Sequence, residues 1–355
     1  MLISQISAFF SVAEKKARSV ISGALLLLSS PRDLPRNLWL LARYLSNVQL
    51  RRKNLVVLVR GGGLGDLTCL LASVPGLKER HPNSWLAVIS PPGCWRLAAS
   101  TGLVDVTADM HSFFAVFVER ACASSRYYRP WLPDEHDPPK PQVLHLADEF
   151  ARAVGVSPDP FAVHLRIPSG ARRRMLRRLR EINPGQHPVV VFHPGPTWPV
   201  REWPSARWNA LAELISARTP SVIIKVGTDL DSMRRVRPTA PIPNAVDWTN
   251  ELDVTEIAAL LDQASVFVGI DSGPLHIAGV LATPSVALFG PVSAKFRMHP
   301  RAQATVVTGG VSCLGCQHNP AGPLHWRTGC PHNIACMHEI RVEEVFKALA
   351  PYIER

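Results

Sequence analysis

Short apolar segments alternate with helical segments along this chain, and that alternation constrains its fold more than any other feature. The segment LVVLV at residues 55–59 is followed by a glycine-rich turn and then by a helical pattern that runs to about Lys78. A second apolar segment, WLAVIS, occupies residues 85–90. Strand, turn and helix in repeated order are typical of a parallel sheet, because neighbouring parallel strands must be joined by a crossover connection.

A second series of the same kind follows in the C-terminal half. Its predicted strands lie at residues 189–192, 222–226, 266–270 and 285–289. Between the two series, residues 167–187 form an arginine-rich helical stretch with Pro and Gly at each end, which is either a solvated helix face or a phosphate-binding patch. We therefore predict an α/β protein with two Rossmann-like, doubly wound parallel-sheet domains that face a central cleft, where ligands bind at the carboxyl ends of the strands.

Four parts of the chain follow from this pattern. They are a basic amphipathic extension, an acceptor-side domain, a donor domain with a cysteine cluster at residues 313–336, and a final helix. Their predicted limits are residues 1–50, 51–182, 183–340 and 341–355. Two domains of ordinary size suit a length of 355 residues.

The charge of the chain points to an anionic partner. Lys and Arg number 39 against 28 Asp and Glu, which gives a net charge of +11. This sign fits a phosphorylated substrate, an acidic membrane surface or nucleic acid. Because the sequence has no RNP-like motif, no zinc-finger spacing with paired histidines and no basic-region heptads, we expect no nucleic-acid partner.

The first 50 residues are basic and partly apolar. The apolar run at residues 20–28 is too short to span a bilayer, and the absence of a convincing cleavage site argues against a secretory signal. Residues 37–53 (NLWLLARYLSNVQLRRK) place apolar residues at helical spacing with basic residues between them. They form either a helix packed on the first domain or a surface that contacts anionic lipid. We expect a cytoplasmic protein, which the second alternative would place at the inner face of the cytoplasmic membrane.

The glycine-rich turn GGGLGD occupies residues 61–66, between the first strand and its helix. Glycines such as Gly63 and Gly65 let the backbone approach a ligand and leave helix N–H groups free for an anion, so they are candidates for a phosphate or acceptor-side loop. The turn is neither GxGxxG nor a Walker loop, which disfavours a dinucleotide or NTPase site. Asp66 would lie near the helix start, where a carboxylate is favourable even without a function.

A later strand-to-helix junction has the sequence HPGPTWPVREWP at residues 193–204. Thr197 offers a hydroxyl, and Arg201 offers a guanidinium whose fork suits phosphate oxygens. A rigid proline-rich loop with a surface arginine is the alternative.

Another junction, GIDSGPLHIA at residues 269–278, ends a strand on Asp271 and begins a helix near Pro274. Asp271 and Ser272 would lie at the carboxyl end of the strand, where a sugar could be hydrogen-bonded, and the first N–H groups of the helix would face a diphosphate. An N-cap role for Asp271 and a packed side chain for His276 are the structural alternatives.

These segments, followed by FGP at residues 289–291, occur in an order that resembles glycosyltransferase family 9, the ADP-heptose:lipopolysaccharide heptosyltransferases. The resemblance covers about residues 55–345. It implies a GT-B fold, inversion at the anomeric carbon and no cofactor for catalysis. Asp66 matches the general base of the family. The implied donor-binding residues are Thr197, Arg201 (where the family often has Lys), Asp271, Ser272, Gly273 and His276.

The resemblance implies transfer of heptose, or a related sugar, from ADP-heptose to a lipopolysaccharide core or a similar envelope glycan, which is an anionic glycolipid. A protein acceptor is one alternative. A nucleotide-sugar epimerase or hydrolase of GT-B fold is another, and a catalytically silent binding module is a third. The aromatic, proline-rich residues 111–141 resemble no particular acceptor class.

Four of the seven cysteines cluster near the C-terminus: Cys313, Cys316, Cys330 and Cys336. Four thiols this close in sequence could hold a structural zinc or iron ion, and some protein-modifying heptosyltransferases are known for an iron-bound cysteine motif. Because the spacing is irregular, free thiols are the alternative, and disulfides are not expected in a reducing cytosol.

Overall fold

The computed structural model describes residues 34–132, 135, 140–231, 234–319, 321–322, 324 and 329–354. In the first domain the strands are β1 (Asn54–Val59), β2 (Ser84–Ser90), β3 (Val106–Asp109) and β4 (Tyr127–Tyr128). The helices are α1 (Leu34–Tyr44, extended by a π-helical turn at Leu45–Leu50), α2 (Leu64–Leu71), α3 (Val74–Arg80), α4 (Trp95–Thr101), α5 (Phe113–Ala121) and α6 (Leu146–Val154).

Helix α7 (Ser169–Ile182) leads into the second domain. The strands there are β5 (Val189–His193), β6 (Val222–Lys225), β7 (Ala245–Asp247), β8 (Val266–Ile270), β9 (Ser285–Phe289) and β10 (Ala304–Thr308). The helices are α8 (Ser205–Arg218), α9 (Val254–Leu261), α10 (Gly273–Leu281), α11 (Ala335–His338) and α12 (Val342–Leu349).

Both sheets are parallel, as the alternation predicted. The strand order is β3-β2-β1-β4 in the first and β10-β9-β8-β5-β6-β7 in the second. The order reverses at β1 in the first sheet and between β5 and β8 in the second. Ligands of open α/β sheets bind outside the carboxyl ends of strands at such reversals. The glycine-rich turn after β1 and the two polar junctions after β5 and β8 all lie there.

The hydrophobic core continues from one domain into the other. One cluster of buried side chains contains Leu58 and Phe150 of the first domain together with Phe267 and Ile277 of the second. Helices α2 and α10 pack directly on each other within it. The two sheets are therefore held with their ligand-binding ends close together.

The contacts of helix α7 decide in part whether the arginine-rich stretch is a solvated helix face or a phosphate-binding patch. Three of its arginines are paired with acidic side chains on or beside α9: Arg172 with Asp262, Arg174 with Glu256, and Arg178 with Glu251. The Arg178 guanidinium also lies 4.1 Å from the centre of the Trp248 ring. These three charges contact the second domain, so they serve the attachment of the helix rather than a phosphate.

Residues 297–301, which we call the clasp, extend from the second domain to the first. The hydrogen bonds run from His145 to the Met298 carbonyl, from His299 to the Pro160 carbonyl, and from Arg301 to the carbonyls of Phe161 and Val163. Burial lowers the pKa of both histidines, to about 4 for His299. Each neutral ring donates through Nε2, while its Nδ1 accepts a backbone N–H.

Helix α1 shows that the predicted packed helix exists, while residues 1–33 of the extension lie outside the described residues. Leu40 and Tyr44 are buried in a cluster with Val57 and Trp85. The opposite face exposes apolar side chains at Leu38, Trp39 and Leu45. No helix in the described ranges is long and apolar enough to cross a membrane.

The packing of α1 predicts a contrast between two leucines of the same helix. Leu40→Ala should lower the free energy of unfolding by about 2–5 kcal/mol, because the side chain leaves a cavity between α1 and the sheet. Leu38 is 54% exposed and Leu40 only 1%, so Leu38→Ala should change stability by less than about 0.5 kcal/mol. Urea unfolding of both variants measures this, and equal losses would show that α1 does not pack as described.

Candidate active site

The glycine-rich turn places Asp66 at the mouth of the cleft. The residue lies in the first turn of α2, directly after the turn that leaves β1. A Cβ on Gly62 would lie 1.7 Å from Asp66 Oδ2, so the carboxylate occupies space that only glycine leaves free. A Cβ on Gly63 would meet nothing within 4 Å, which leaves the turn open on that side.

Arg60 holds one oxygen of Asp66. Its Nη2 donates to Asp66 Oδ2 at 3.1 Å, and the same guanidinium forks onto Glu135 at 2.7 and 3.0 Å. Burial would lower the pKa of Arg60, but the charges of Asp66 and Glu135 outweigh it and raise that pKa. Arg60 is therefore a fixed cation that orients Asp66.

Asp271 is the buried carboxylate of the second domain. It follows β8, and its Oδ2 lies 3.0 Å from Arg201 Nη1 while its Oδ1 lies 3.5 Å from His276 Nε2. Burial alone would raise the pKa of Asp271, but the positive charge of Arg201, the hydrogen bond from His276 and the charge of Arg297 hold it well below its usual range. Asp271 is thus an anion that fixes the Arg201 guanidinium.

Arg201 is also held from a second side. Its Nη2 donates to Gln317 Oε1 at 2.9 Å, and its guanidinium lies 5.7 Å from the centre of the Trp198 ring. With its position set by a carboxylate, an amide and an aromatic face, the arginine is preorganised for an anionic ligand.

Ser272 joins the ends of β5 and β8. Its Oγ lies 2.9 Å from His193 Nδ1 and donates to the Ile270 carbonyl at 3.0 Å. Burial lowers the pKa of His193 to about 4. The ring is therefore neutral at pH 7, and the serine, which we expected to bind a sugar, has its hydroxyl engaged within the protein.

The loop that carries Thr197 is braced by an ion pair absent from the sequence prediction. Arg237 forks onto Glu202 at 3.0 and 2.9 Å, and Glu202 Oε1 accepts the Thr197 backbone N–H at 2.8 Å. Among the residues that the structure describes, the contact of the Thr197 hydroxyl is a long one, 3.4 Å to the Trp198 carbonyl.

Gly65 and Gly273 pack the two domains together. A Cβ on Gly65 would lie 2.5 Å from the His276 ring, and one on Gly273 would lie 2.9 Å from Leu64 Cβ. Gly273 is also the first residue of α10, whose N-cap Ser272 gives no side-chain hydrogen bond to the helix. The first N–H groups of α10 can therefore serve an anion.

The four cysteines of the cluster lie close enough for their thiols to interact. Burial, followed by the thiols of Cys316, Cys330 and Cys313, raises the pKa of Cys336 to about 11. All four thiols are free. Within the described ranges, no three His, Cys, Asp or Glu side chains are arranged to hold a metal ion. The structural zinc or iron stays a prediction.

Sequence reasoning missed several residues of this site. They are Arg60, Glu135, His193, Glu202, Arg237, Arg297 and Gln317. Three signals were available in the motifs themselves, because Arg60 precedes the glycine-rich turn, and His193 and Glu202 lie within the proline-rich segment. The others come from distant positions that only the packing of loops brings close.

Comparison with known proteins identifies a family. The family model described as glycosyltransferase family 9 (heptosyltransferase) matches residues 123–325. The chain is 32% identical over 126 residues to lipopolysaccharide heptosyltransferase 3 of Escherichia coli, which covers 35% of this chain and 37% of that protein. It is 34% identical over 119 residues to lipopolysaccharide heptosyltransferase 1 of Pseudomonas aeruginosa, an alignment that covers 34% of this chain and 33% of that protein. These matches thus span about a third of each relative.

Solved structures extend the likeness to most of the chain. A crystal structure of the glycosyl transferase family 9 from Veillonella parvula superposes with a TM-score of 0.61 at 16% identity, over 85% of this chain and 97% of that one. The E. coli ADP-heptose LPS heptosyltransferase II gives 0.57 at 16% identity, over 85% and 100%. The iron-containing dodecameric glycosyltransferase TibC of enterotoxigenic E. coli gives 0.61 at 16% identity, over 84% and 76%. The predicted GT-B fold is confirmed.

The buried ion pair of the second domain gives a prediction for stability. Asp271→Asn should lower the free energy of unfolding by about 3 kcal/mol, because Arg201 loses its buried counter-ion. Asp262→Asn, which breaks the exposed pair with Arg172, should cost less than about 1 kcal/mol. Urea unfolding of both variants measures the contrast.

The stability difference between wild type and Asp271→Asn should depend on pH in a defined direction. The pKa of Asp271 is lowered in the folded state, so its contribution is present above the unfolded pKa of about 3.9 and is lost as pH falls through the folded value. The difference between wild type and Asp271→Asn should therefore stay constant from pH 8 to 5. A difference that disappears already near pH 6 would contradict the assignment.

Proposed function

The chain belongs to glycosyltransferase family 9, and from that premise we propose that it transfers heptose from ADP-heptose to a lipopolysaccharide core or a similar envelope glycan. The observation that carries the proposal is the arrangement of two carboxylates at the facing ends of the sheets. Asp66 of the first domain and Asp271 of the second are both linked to Arg297, by an ion pair at 3.9 Å and by electrostatic interaction respectively.

We propose that Asp66 is the general base. A transfer with inversion needs one base, which takes the proton of the acceptor hydroxyl as that oxygen attacks the anomeric carbon. General-base assistance accelerates such a step by about 10²–10⁴-fold. Arg60 holds Asp66 Oδ2 and orients the carboxylate toward the cleft.

The donor would lie against the second domain. As the bond to the sugar breaks, negative charge grows on the leaving ADP, and preorganised donors stabilise it. Arg201 is fixed by Asp271 and Gln317. Helix α10 begins two residues after Asp271, so its first N–H groups, those of Gly273 and Leu275, start close to the counter-ion of Arg201. We propose that these groups, with the Thr197 hydroxyl, replace the catalytic metal that other glycosyltransferase folds use.

We also propose that the exposed face of α1 meets an anionic lipid surface, which would place the enzyme at the inner face of the cytoplasmic membrane. Leu38 and Trp39 of α1 and Leu45 of the turn that follows it are each 54% exposed. Arg43 lies on the same helix, and Arg51, Arg52 and Lys53 follow the turn. Exposed apolar side chains with basic residues around them are typical of interfacial binding.

The base assignment predicts a separation of turnover from binding. Asp66→Asn should reduce kcat with ADP-heptose and acceptor by at least about 100-fold, because the amide cannot take the proton, while ADP affinity stays within a few-fold of wild type. Arg201→Ala should weaken ADP binding as well as turnover, because it removes a phosphate contact. Wild-type turnover by Asp66→Asn would eliminate Asp66 as the base, and release of free sugar without any acceptor would favour the hydrolase alternative.

The lipid proposal predicts a loss of membrane binding without a loss of fold. Replacing Leu38 and Trp39 together by Ser should weaken binding to vesicles with acidic headgroups by about tenfold or more. The reason is that the apolar surface of the Trp and Leu side chains is no longer transferred from water into the membrane. Replacing the exposed Leu230 and Val236 of the second domain by Ser is the matched control and should change nothing. Equal binding of wild type to neutral and acidic vesicles would contradict the proposal.

A further inference from the structure

Arg297 is a buried cation that the motifs do not explain. It follows a short 3-10 helix, Ala294–Phe296, in the second domain and is only 6% exposed. Its Nη1 lies 3.9 Å from Asp66 Oδ1 in the first domain. Its Nε finds no hydrogen-bond partner among the described residues. Burying a guanidinium without satisfying its donors costs stability, so a position of this kind calls for a functional explanation.

The two oxygens of Asp66 face different arginines. Oδ2 accepts a hydrogen bond from Arg60 of its own domain at 3.1 Å. Oδ1 faces Arg297 at 3.9 Å, which is an electrostatic contact but too long for a hydrogen bond. Arg297 can therefore stabilise the carboxylate as an anion while Oδ1 keeps a lone pair available for the acceptor proton.

Arg297 also acts on the second carboxylate. Its charge is one of the interactions that lower the pKa of Asp271, next to Arg201 and His276. Each carboxylate has an arginine of its own domain hydrogen-bonded or ion-paired to it, Arg60 for Asp66 and Arg201 for Asp271. Arg297 is thus shared between the two domains.

The hydrogen bonds between the clasp and the first domain determine the position of Arg297. Met298, His299 and Arg301 bond to the first domain directly after it. Arg297 is therefore carried by one domain and located by contacts to the other, so its distance from Asp66 depends on how the domains are closed.

We infer that Arg297 is a positioning residue for the reaction: delivered by the clasp, it holds Asp66 as an oriented anion beside the donor-binding segment only when the two domains are closed. The inference rests on the proposed function, since it assigns Asp66 the role of base. It adds a residue from the opposite domain to that role.

The separation of kcat from ADP affinity tests this role, because an arginine that bound the diphosphate would change both together. Arg297→Met removes the cation that faces Asp66 Oδ1 and leaves the hydrogen bond from Arg60 to Oδ2 in place. It should therefore slow the transfer step, while Arg201 and the start of α10, which are proposed to bind the donor, stay intact.

The experiment compares Arg297→Met, Arg297→Lys and a matched control, Arg301→Met, which removes the other arginine of the clasp but leaves the Met298 and His299 bonds that lie nearest to Arg297. For Arg297→Met we expect kcat to fall at least tenfold and ADP affinity to change less than threefold. Arg297→Lys should restore part of kcat, and Arg301→Met should lose less than threefold in kcat.

Three results would overturn the inference. One is a loss of ADP affinity in Arg297→Met as large as the loss in kcat, since the arginine would then bind the diphosphate. Another is the same fall in kcat in Arg297→Met and Arg301→Met, since both arginines would then only join the domains. The third is full activity in Arg297→Met.

A measurement without substrate separates this inference from the proposed function. The shifts in urea midpoint caused by Asp66→Asn and Arg297→Met should not add in the double variant, because the two charges interact. Additive shifts would refute the contact itself. Non-additive shifts in a protein that does not turn over ADP-heptose would support the contact and refute the proposed function alone.

Discussion

The site depends on how closely α2 and α10 approach each other. Gly65 lies against the His276 ring and Gly273 against the Leu64 side chain, and any Cβ at either glycine would collide. This contact brings the carboxyl end of β1 to the carboxyl end of β8. The glycines of the two motifs are therefore explained at least as well by the packing of two helices as by the approach of a ligand.

Because the carboxyl ends of the two sheets face each other, the charged side chains at these ends lie close together and need partners of opposite charge. Asp66 and Asp271 are each paired with an arginine, and a third arginine lies between them. Buried ion pairs contribute little net stability, because desolvation offsets most of the attraction. What they do provide is orientation, and fixed charges around a cleft act on a reaction without having to reorganise as it proceeds. Glu135 and Gln317 accept hydrogen bonds from Arg60 and Arg201, and Glu202 accepts one from the Thr197 backbone. These contacts orient the site in the same way.

The sequence was sufficient to predict the fold, because strand periodicity and crossover connections are local properties. Asp66, Arg201 and Asp271 could also be selected as candidates, since each lies in a recognisable segment that follows a strand. Arg297 and Glu135 could not, because each reaches the site from a distant position in sequence, Glu135 from a loop of the first domain and Arg297 from a loop of the second. The contact of Ser272 with His193 could not be predicted, because it joins two strands that are distant in sequence; the sugar-binding role of Ser272 stays a prediction. The spacing of the four cysteines in the sequence likewise indicated a cluster. Spacing alone does not determine the side-chain geometry that a metal ion requires.

In the proposed mechanism the second domain holds an ADP-linked donor with Arg201, the Thr197 hydroxyl and helix N–H groups, without a metal ion. Calorimetric titration of the purified protein with ADP, UDP and GDP, in the presence of EDTA, tests this mechanism. We expect tight and selective binding of ADP that does not change when the chelator is omitted. Preference for UDP or GDP would contradict the assigned donor. Binding of ADP only after a divalent ion is restored would contradict the role given to Arg201 and α10.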